Sequence, residues 1–425
     1  LSKLPHPAFA FGRLLSSAVT SQAVLSAASF LVGLILIRRT SDVQYGFYVL
    51  AINAIILIVS LQGAFFNPPL AIRLNKLDRL GRGELVGGLY REQRRVLPGV
   101  AVTAVLGALG LWYMGLLDAQ TGPLVIVTAA ATLATLHREY FRMVLFANRR
   151  PQDVLRTDVL YVLLMVGGVW LATRSAAPAT VALLAVTLAA ALSGFALSRT
   201  FHRREPWNLD GRPGILREIA PLAAWATAGA AIHWTFSQGY TYLVAGTLDV
   251  AAVAALAGTR LLLMPVNLLS MGVGSLMLPF ASGWLHQHGT PTARRRLWIS
   301  AAVLGAAALC YAAVLWSFRE WIFTVILHKQ FVHRDELLLL WCAIFLVVVM
   351  RDQMNYLLAA QGRFRSLTLL TLGSALVSLA ASYLAILRFG VPGALMGMLI
   401  GESISAVGTL MLSFRVTALP VAAAA

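Results

Sequence analysis

Charge is scarce in this chain: Asp, Glu, Lys and Arg make up 12% of its 425 residues, against about 25% in soluble domains. With 59% of residues hydrophobic, a water-soluble fold is excluded, because its surface has too little polar side chain to cover such a core. Cysteine is nearly absent. Cys310 and Cys342 both fall inside apolar blocks, which rules out a disulfide framework and a CxxC metal pattern. Also missing are a P-loop, a GxSxG elbow, an HExxH helix and a glycine-rich dinucleotide turn. His233 has no second His, Cys or carboxylate spaced with it as a metal would need. No catalytic residue, metal or cofactor is therefore assigned. Long outer loops are lacking too, the largest running from about Ser317 to Glu336, which argues against a membrane-embedded glycan polymerase, ligase or acyltransferase.

What is present is a series of apolar blocks of about 20 residues, the length that crosses a ~30 Å hydrocarbon core as a helix. Inside lipid every backbone amide needs a partner. Runs this long without period-2 alternation satisfy that need as helices, not as a barrel. The fold class is all-α, a polytopic membrane protein of about twelve spans at residues 14–37, 45–66, 96–117, 123–147, 159–172, 179–198, 220–246, 250–279, 297–316, 337–360, 367–387 and 391–412. The first span is too long for a signal-peptide core and ends at Arg38-Arg39 instead of a small-residue cleavage site, so it reads as a retained helix.

A formal charge of +17, from 34 basic and 17 acidic residues, would suggest a nucleic-acid binder in a soluble protein. Here topology accounts for it. With both termini in the cytoplasm, the cytoplasmic loops collect 23 of the Lys and Arg residues and the opposite side 7, as the positive-inside rule requires. No nucleic-acid partner is implied; the bilayer is the partner.

The basic stretch 199–218 divides the chain into six-helix lobes at 1–198 and 219–425. Two short matches support a duplication. Thr40-Ser41-Asp42-Val43 resembles Thr247-Leu248-Asp249-Val250 at an offset of 207, and Arg138-Glu139 with Leu145 to Arg150 resembles Arg351-Asp352 with Leu358 to Arg363 at an offset of 213. Equal-orientation halves are what a parallel transporter repeat gives, with the substrate path between them.

Ionisable residues inside spans are costly and few. Arg138 and Arg142 are spaced i, i+4 on one face of the fourth helix, with Glu139 three residues before Arg142. Arg351 and Asp352 lie in the tenth helix and Glu402 in the twelfth. Arg260 lies eleven residues into the eighth, roughly 16 Å from its outer end at 1.5 Å per residue. Arginine stays protonated and offers a planar fork matched to phosphate oxygens. Arg260, Arg138, Arg142 and Arg351 are thus candidate contacts for a phosphate or pyrophosphate, joined by His233 and Gln238 on the seventh helix. Glu139, Asp352 and Glu402 are coupling candidates. Two other readings stand beside this one. Arg138, Arg142 and Arg351 are structural pins paired with neighbouring acids, or they snorkel to the cytoplasmic face. Asp158, beside Arg156, reads as a surface ion pair. Gln22, Ser26 and Ser29 form a polar stripe read as helix packing; His233, Ser237 and Tyr240 form one read as cavity lining.

Tyr45-Gly46-Phe47-Tyr48-Val49-Leu50-Ala51, the Arg138 to Arg150 segment and Arg260-Leu261-Leu262-Leu263-Met264-Pro265-Val266-Asn267, set in two six-helix lobes, resemble the polysaccharide-transport branch of the multidrug/oligosaccharidyl-lipid/polysaccharide exporter superfamily, the O-antigen-type flippases. The resemblance implies a bacterial inner-membrane protein of polysaccharide or lipopolysaccharide biosynthesis. It would move a polyprenyl-pyrophosphate-linked oligosaccharide across the cytoplasmic membrane by alternating access, with Arg260 placed like a cavity arginine of the related lipid II flippases. Those relatives carry further arginines in helices 1 and 2, where this chain has Ser26 and Asn53, so the resemblance points to another oligosaccharide. A multidrug exporter of the same fold is the alternative, for which Glu139, Asp352 and Glu402 would hold organic cations.

The charge asymmetry makes a direct prediction. In a background lacking Cys310 and Cys342, Arg82→Cys and Arg203→Cys are labelled from the cytoplasm and Ala119→Cys from outside. Labelling of residue 203 by an impermeant external reagent overturns the twelve-span map.

Overall fold

Proline, glycine and short polar caps set many of the helix boundaries in this chain. The computed structural model describes residues 7–74, 77–114, 121–205, 207–208 and 214–414, and among these there is no strand. The first half comprises α1 (Pro7–Arg39), α2 (Asp42–Arg73), α3 (Arg79–Tyr113), α4 (Thr121–Ala147), α5 (Pro151–Ala172) and α6 (Pro178–Arg204). Then follow α7 (Ile215–Thr247), α8 (Val250–Leu261), α9 (Met264–Ser317), α10 (Arg319–Trp321) with a π-helical turn at Ile322–Leu327, α11 (Arg334–Ala360), α12 (Phe364–Phe389) and α13 (Val391–Phe414). Pro151 and Pro178 open α5 and α6, where a missing N–H costs nothing. Eight described helices are long and apolar enough to cross a membrane by length and composition.

α9 is two helices in one. At 54 residues it passes Gly289, whose φ of 77° and ψ of 173° are not helical, so its two arms are separate spans. The expected eighth span, 250–279, is also interrupted: α8 stops at Leu261, and the chain restarts as α9 at Met264. The cause is Pro265, which has no N–H to continue the ladder. With the α8–α9 break counted inside one span, the architecture is a polytopic all-α membrane fold of about twelve spans in two six-helix lobes.

Two helix starts differ most from the sequence expectation. α3 begins 17 residues before Val96, and α5 begins at Pro151 instead of Val159. In both cases charged side chains had been assigned to loops. They stand on helical turns instead, and in α5 this brings Asp158 into the second turn.

The chain forms two compact units, residues 1–231 and 232–425, divided within α7. The first is built around Leu70, Leu89, Tyr140, Phe141, Val144, Leu145, Val154, Leu197 and Phe201, contributed by α2 to α6. In the second, Gly393, Gly397 and Gly401 form a stripe on α13, of which Gly393 and Gly397 meet α12 backbone to backbone and Gly401 meets the Ser378 side chain. A Cβ on Gly397 would lie 2.1 Å from the Ser382 nitrogen, so any side chain there drives the two helices apart. Small residues at i, i+4 and i+8 are the usual means of close approach in membranes.

The internal repeat is visible in the backbone. α4 ends with Arg149 N–H donating to Phe146 O (2.9 Å) and Arg150 N–H to Leu145 O (2.9 Å); α11 ends with Gly362 N–H donating to Ala359 O (2.9 Å) and Arg363 N–H to Leu358 O (3.0 Å). These are the same Schellman closures at an offset of 213 residues. Both pivots are left-handed, Gly362 at φ 72° and Arg149 at φ 59°. Thr40 and Thr247, from the other match, each donate to the carbonyl four residues back, at Leu36 and Leu243.

Glycine enters the left-handed region freely and arginine does not. Arg149→Gly therefore raises stability and Gly362→Ala lowers it, each by about 1 kcal/mol, read as opposite shifts of the thermal midpoint in detergent.

Candidate functional site

The charged residues of the spans gather in three places. In the N-terminal unit, α4 supplies Arg138, Glu139 and Arg142, α5 supplies Asp158 and α1 supplies Ser21. Arg138 is 3% exposed and Asp158 fully buried. Arg138 pairs with Glu139 through Nη1 and with Asp158 through Nη2. Arg142 donates from Nε to Asp158 Oδ2 at 3.2 Å, from Nη1 to Glu139 Oε2 at 3.3 Å and from Nη2 to Ser21 Oγ at 3.2 Å. The Ser21 hydroxyl donates to Asp158, and the Arg138 guanidinium lies 4.0 Å from the centre of the Tyr161 ring. Two cations meet two anions here, and the cluster is neutral.

Asp158 is therefore not a surface partner of Arg156. With α5 starting at Pro151, Val154, Asp158, Met165 and Val169 share its buried face, and the aspartate is the hub of the network. The signal was in the sequence: apolar residues flank Asp158 at helical spacing, and a proline precedes it at the position that opens helices. Arg138 does not snorkel, since its guanidinium turns inward. The packing stripe of α1 is also different from the one expected. Ser21, Ala28, Val32 and Leu36 are buried, while Gln22 and Ser29 are exposed.

In the C-terminal unit, Arg351 of α11 donates to Asp352 Oδ1 from Nε (3.1 Å) and Nη2 (2.8 Å), and pairs with Glu402 of α13 through Nη1. Asn355 Nδ2 donates to the same Asp352 oxygen at 3.4 Å, and Thr409 donates to Asn355 Oδ1 at 3.1 Å. His233 of α7 is exposed.

Arg260, also in the C-terminal unit, has a different set of partners from Arg351. It occupies the last turn of α8, directly before the break at Leu262–Leu263. Its Nη1 donates to Gln238 Oε1 at 2.8 Å and to the Tyr240 hydroxyl at 3.4 Å, and its guanidinium lies 5.3 Å from the centre of the Trp341 ring. All these partners, among the described residues, are neutral. A side chain from the second arm of α9 reaches the break, the Tyr311 hydroxyl donating to Leu262 O at 2.8 Å, and Trp341 Nε1 of α11 donates to Leu256 O at 3.1 Å further back in α8. Interrupted helices of this kind persist in lipid only where the freed backbone is satisfied again. Gln238, a separate sequence candidate, and Tyr240, placed on the polar stripe of α7, both meet Arg260 here, while Trp341 and Tyr311 carried no polar pattern that would single them out. No group of three or more His, Cys, Asp or Glu side chains converges for a metal among the described residues.

No protein-family profile matches the sequence, and no curated protein matches it. Solved structures do. A multidrug resistance MATE family transporter of the MOP superfamily, in an inward-facing conformation, is similar with a TM-score of 0.75 at 12% identity, over 91% of this chain and 93% of that one. The chain has the fold of the MATE transporters. A eukaryotic MATE transporter, AtDTX14, matches with a TM-score of 0.64 at 11% identity over 96% of this chain and 97% of its own. A MOP superfamily transporter from Pyrococcus furiosus, whose reversed pocket polarity is described as suggesting a different function, matches at 0.66 and 12% identity over 95% of each chain.

On this MATE-type scaffold the α4 cluster makes a sharp energetic prediction. Removing one partner of a buried ion pair leaves an uncompensated charge and costs about 3–5 kcal/mol, whereas replacing both by apolar residues is near neutral. Arg138→Met and Asp158→Leu singly lower the detergent melting temperature and the membrane abundance, and the double variant recovers most of both. Additive losses in the double variant would show that the two residues do not act as a pair.

Proposed function

We propose that this chain is a membrane transporter for an anionic amphiphile, and specifically that it carries a polyprenyl-pyrophosphate-linked oligosaccharide across the cytoplasmic membrane by alternating access. One observation carries the reading. The intramembrane carboxylates Glu139, Asp158, Asp352 and Glu402 are all engaged by arginine, while Arg260 keeps a permanent positive charge among neutral partners at a break in a helix. An uncompensated guanidinium inside lipid is expensive, and an anionic ligand removes that cost. Helix breaks are where transporters of several folds place their substrate groups. A pyrophosphate suits the guanidinium fork through paired charge-assisted hydrogen bonds. Gln238, Tyr240 and Trp341 then hold the fork in place.

A second reading, export of an organic cation, has the likeness to multidrug MATE transporters in its favour. It is also favoured by the α11–α13 cluster, where Asp352 and Glu402 together face the single cation Arg351. The two readings differ in what they ask of Arg260. For an anionic substrate it is a contact; for a cation it is a repulsive charge.

In proteoliposomes, Arg260→Ala lowers translocation of a lipid-linked oligosaccharide by about 10- to 100-fold, the worth of a charged hydrogen bond, with protein abundance unchanged. Arg260→Lys restores part of it, since an ammonium is a point charge without the fork. Undiminished oligosaccharide translocation by the alanine variant, with faster efflux of a lipophilic cation, establishes the exporter reading instead.

A further inference from the structure

The N-terminal unit contains a pocket of about 560 Å³ between α2 and α4, lined by Val59, Gly63, Asn67 and Leu70 on one wall and by Glu139, Arg142, Met143, Phe146, Ala147 and Arg149 on the other. That volume lies within the range of small-molecule sites. Three observations bear on what it holds. The side chains of Asn67 and Arg149 have no hydrogen-bond, ion-pair or ring partner among the described residues, and both border the pocket. Arg149 stands at φ 59° in the left-handed position that Gly362 fills in the other half, so an arginine is kept where glycine is the unstrained choice. A residue held in a strained backbone position is a pointer to function. Glu139 is fixed on both oxygens, by Arg138 and by Arg142 at 3.3 Å, which leaves its remaining lone pairs aligned to accept hydroxyl donors.

We propose that this pocket is a sugar subsite that takes an acidic sugar, with its carboxylate or phosphate on Arg149, its hydroxyls on Asn67 and Glu139, and its ring face on Phe146. The inference deepens the transport reading and rests on it for the source of the sugar. Phe146 suits the apolar face of a pyranose because its ring is itself held, with the Arg142 guanidinium 5.1 Å from its centre. An organic cation finds no unengaged carboxylate here. A Cβ on Gly63 would meet only the Asn67 side chain, at 3.6 Å, so a large side chain at 63 grows into the pocket without meeting backbone.

The test is binding to the full-length protein in lipid nanodiscs, by titration calorimetry and saturation-transfer NMR, of a methyl hexuronoside, the matching neutral methyl hexoside and a short-chain prenyl phosphate. The hexuronoside is expected to bind at least about tenfold more tightly than the neutral hexoside, a difference of about 1.4 kcal/mol. Arg149→Gly, which relieves backbone strain and so retains the fold, removes that preference while leaving the neutral hexoside unchanged. Gly63→Leu weakens both sugars. Equal affinity for the two sugars in the unmodified protein, or an undiminished preference in Arg149→Gly, overturns the proposal. Arg149-dependent binding of prenyl phosphate with no hexuronoside binding overturns it as well, and makes the pocket a lipid-phosphate site. The measurement involves neither Arg260 nor translocation, so a failed sugar titration leaves the transport reading standing, and an active Arg260→Ala variant leaves this one standing.

Discussion

An arginine in a membrane helix cannot shed its charge, and much of this fold follows from how Arg138 and Arg351 are neutralised. Lysine or a carboxylate could meet the low dielectric by titrating; a guanidinium, protonated at any accessible pH, must be met by an anion on another helix. Arg138 is met by Asp158, which requires α5 to start early enough to carry the aspartate into the bilayer, and α1 to present a small hydroxyl, Ser21, to the same oxygen that Arg142 reaches. Arg351 is met by Glu402, which requires α13 to lie against α11 as well as against α12. The glycine stripe on α13 allows the second of these contacts by letting α12 approach closely.

The two halves share a backbone plan and diverge in their charges. The closures at the ends of α4 and α11 agree bond for bond at a constant offset, and the Arg–acid dipeptides Arg138-Glu139 and Arg351-Asp352 sit at that same offset. The anions recruited from other helices do not correspond: one comes from α5, the fifth span, and the other from α13, the twelfth. A duplicated helix thus kept its buried cation while each half found a different way to neutralise it. The outcome is a balanced cluster on one side and a cluster with one more carboxylate than guanidinium on the other.

The spans were legible from the sequence because hydrocarbon thickness sets their length, and the repeat because its turns reuse the same short segments. Boundaries were less so. A charge ahead of an apolar block reads as loop, yet Asp158 and the arginines of α3 continue the helical turn, since an ion pair satisfies what hydropathy alone forbids. Arg260 was singled out by its expected depth, while the interruption that follows it was hidden inside an unbroken apolar run; only Pro265 marked it. Arg149 gave no signal at all, because an arginine near a span end has an ordinary explanation in the positive-inside rule. Its left-handed backbone and its place on a pocket wall exist only in three dimensions.

Arg260 and Arg149, to which the functional readings attach, both lie where the helical ladder stops: one at the break between α8 and α9, the other in the Schellman turn after α4. A physical reason links position and role. Within a regular span, a cation has neighbours on every side and is quenched by whichever anion packing brings near, as Arg138 and Arg351 are. At the break after α8 the side chains that reach Arg260 are all neutral, and the local carbonyls add negative potential without adding a full charge. A guanidinium there stays ordered while its net charge remains available to a ligand. In this fold the uninterrupted helices are where buried charge is paired and holds the bundle together, and the two proposed anion contacts both sit where the helical ladder stops.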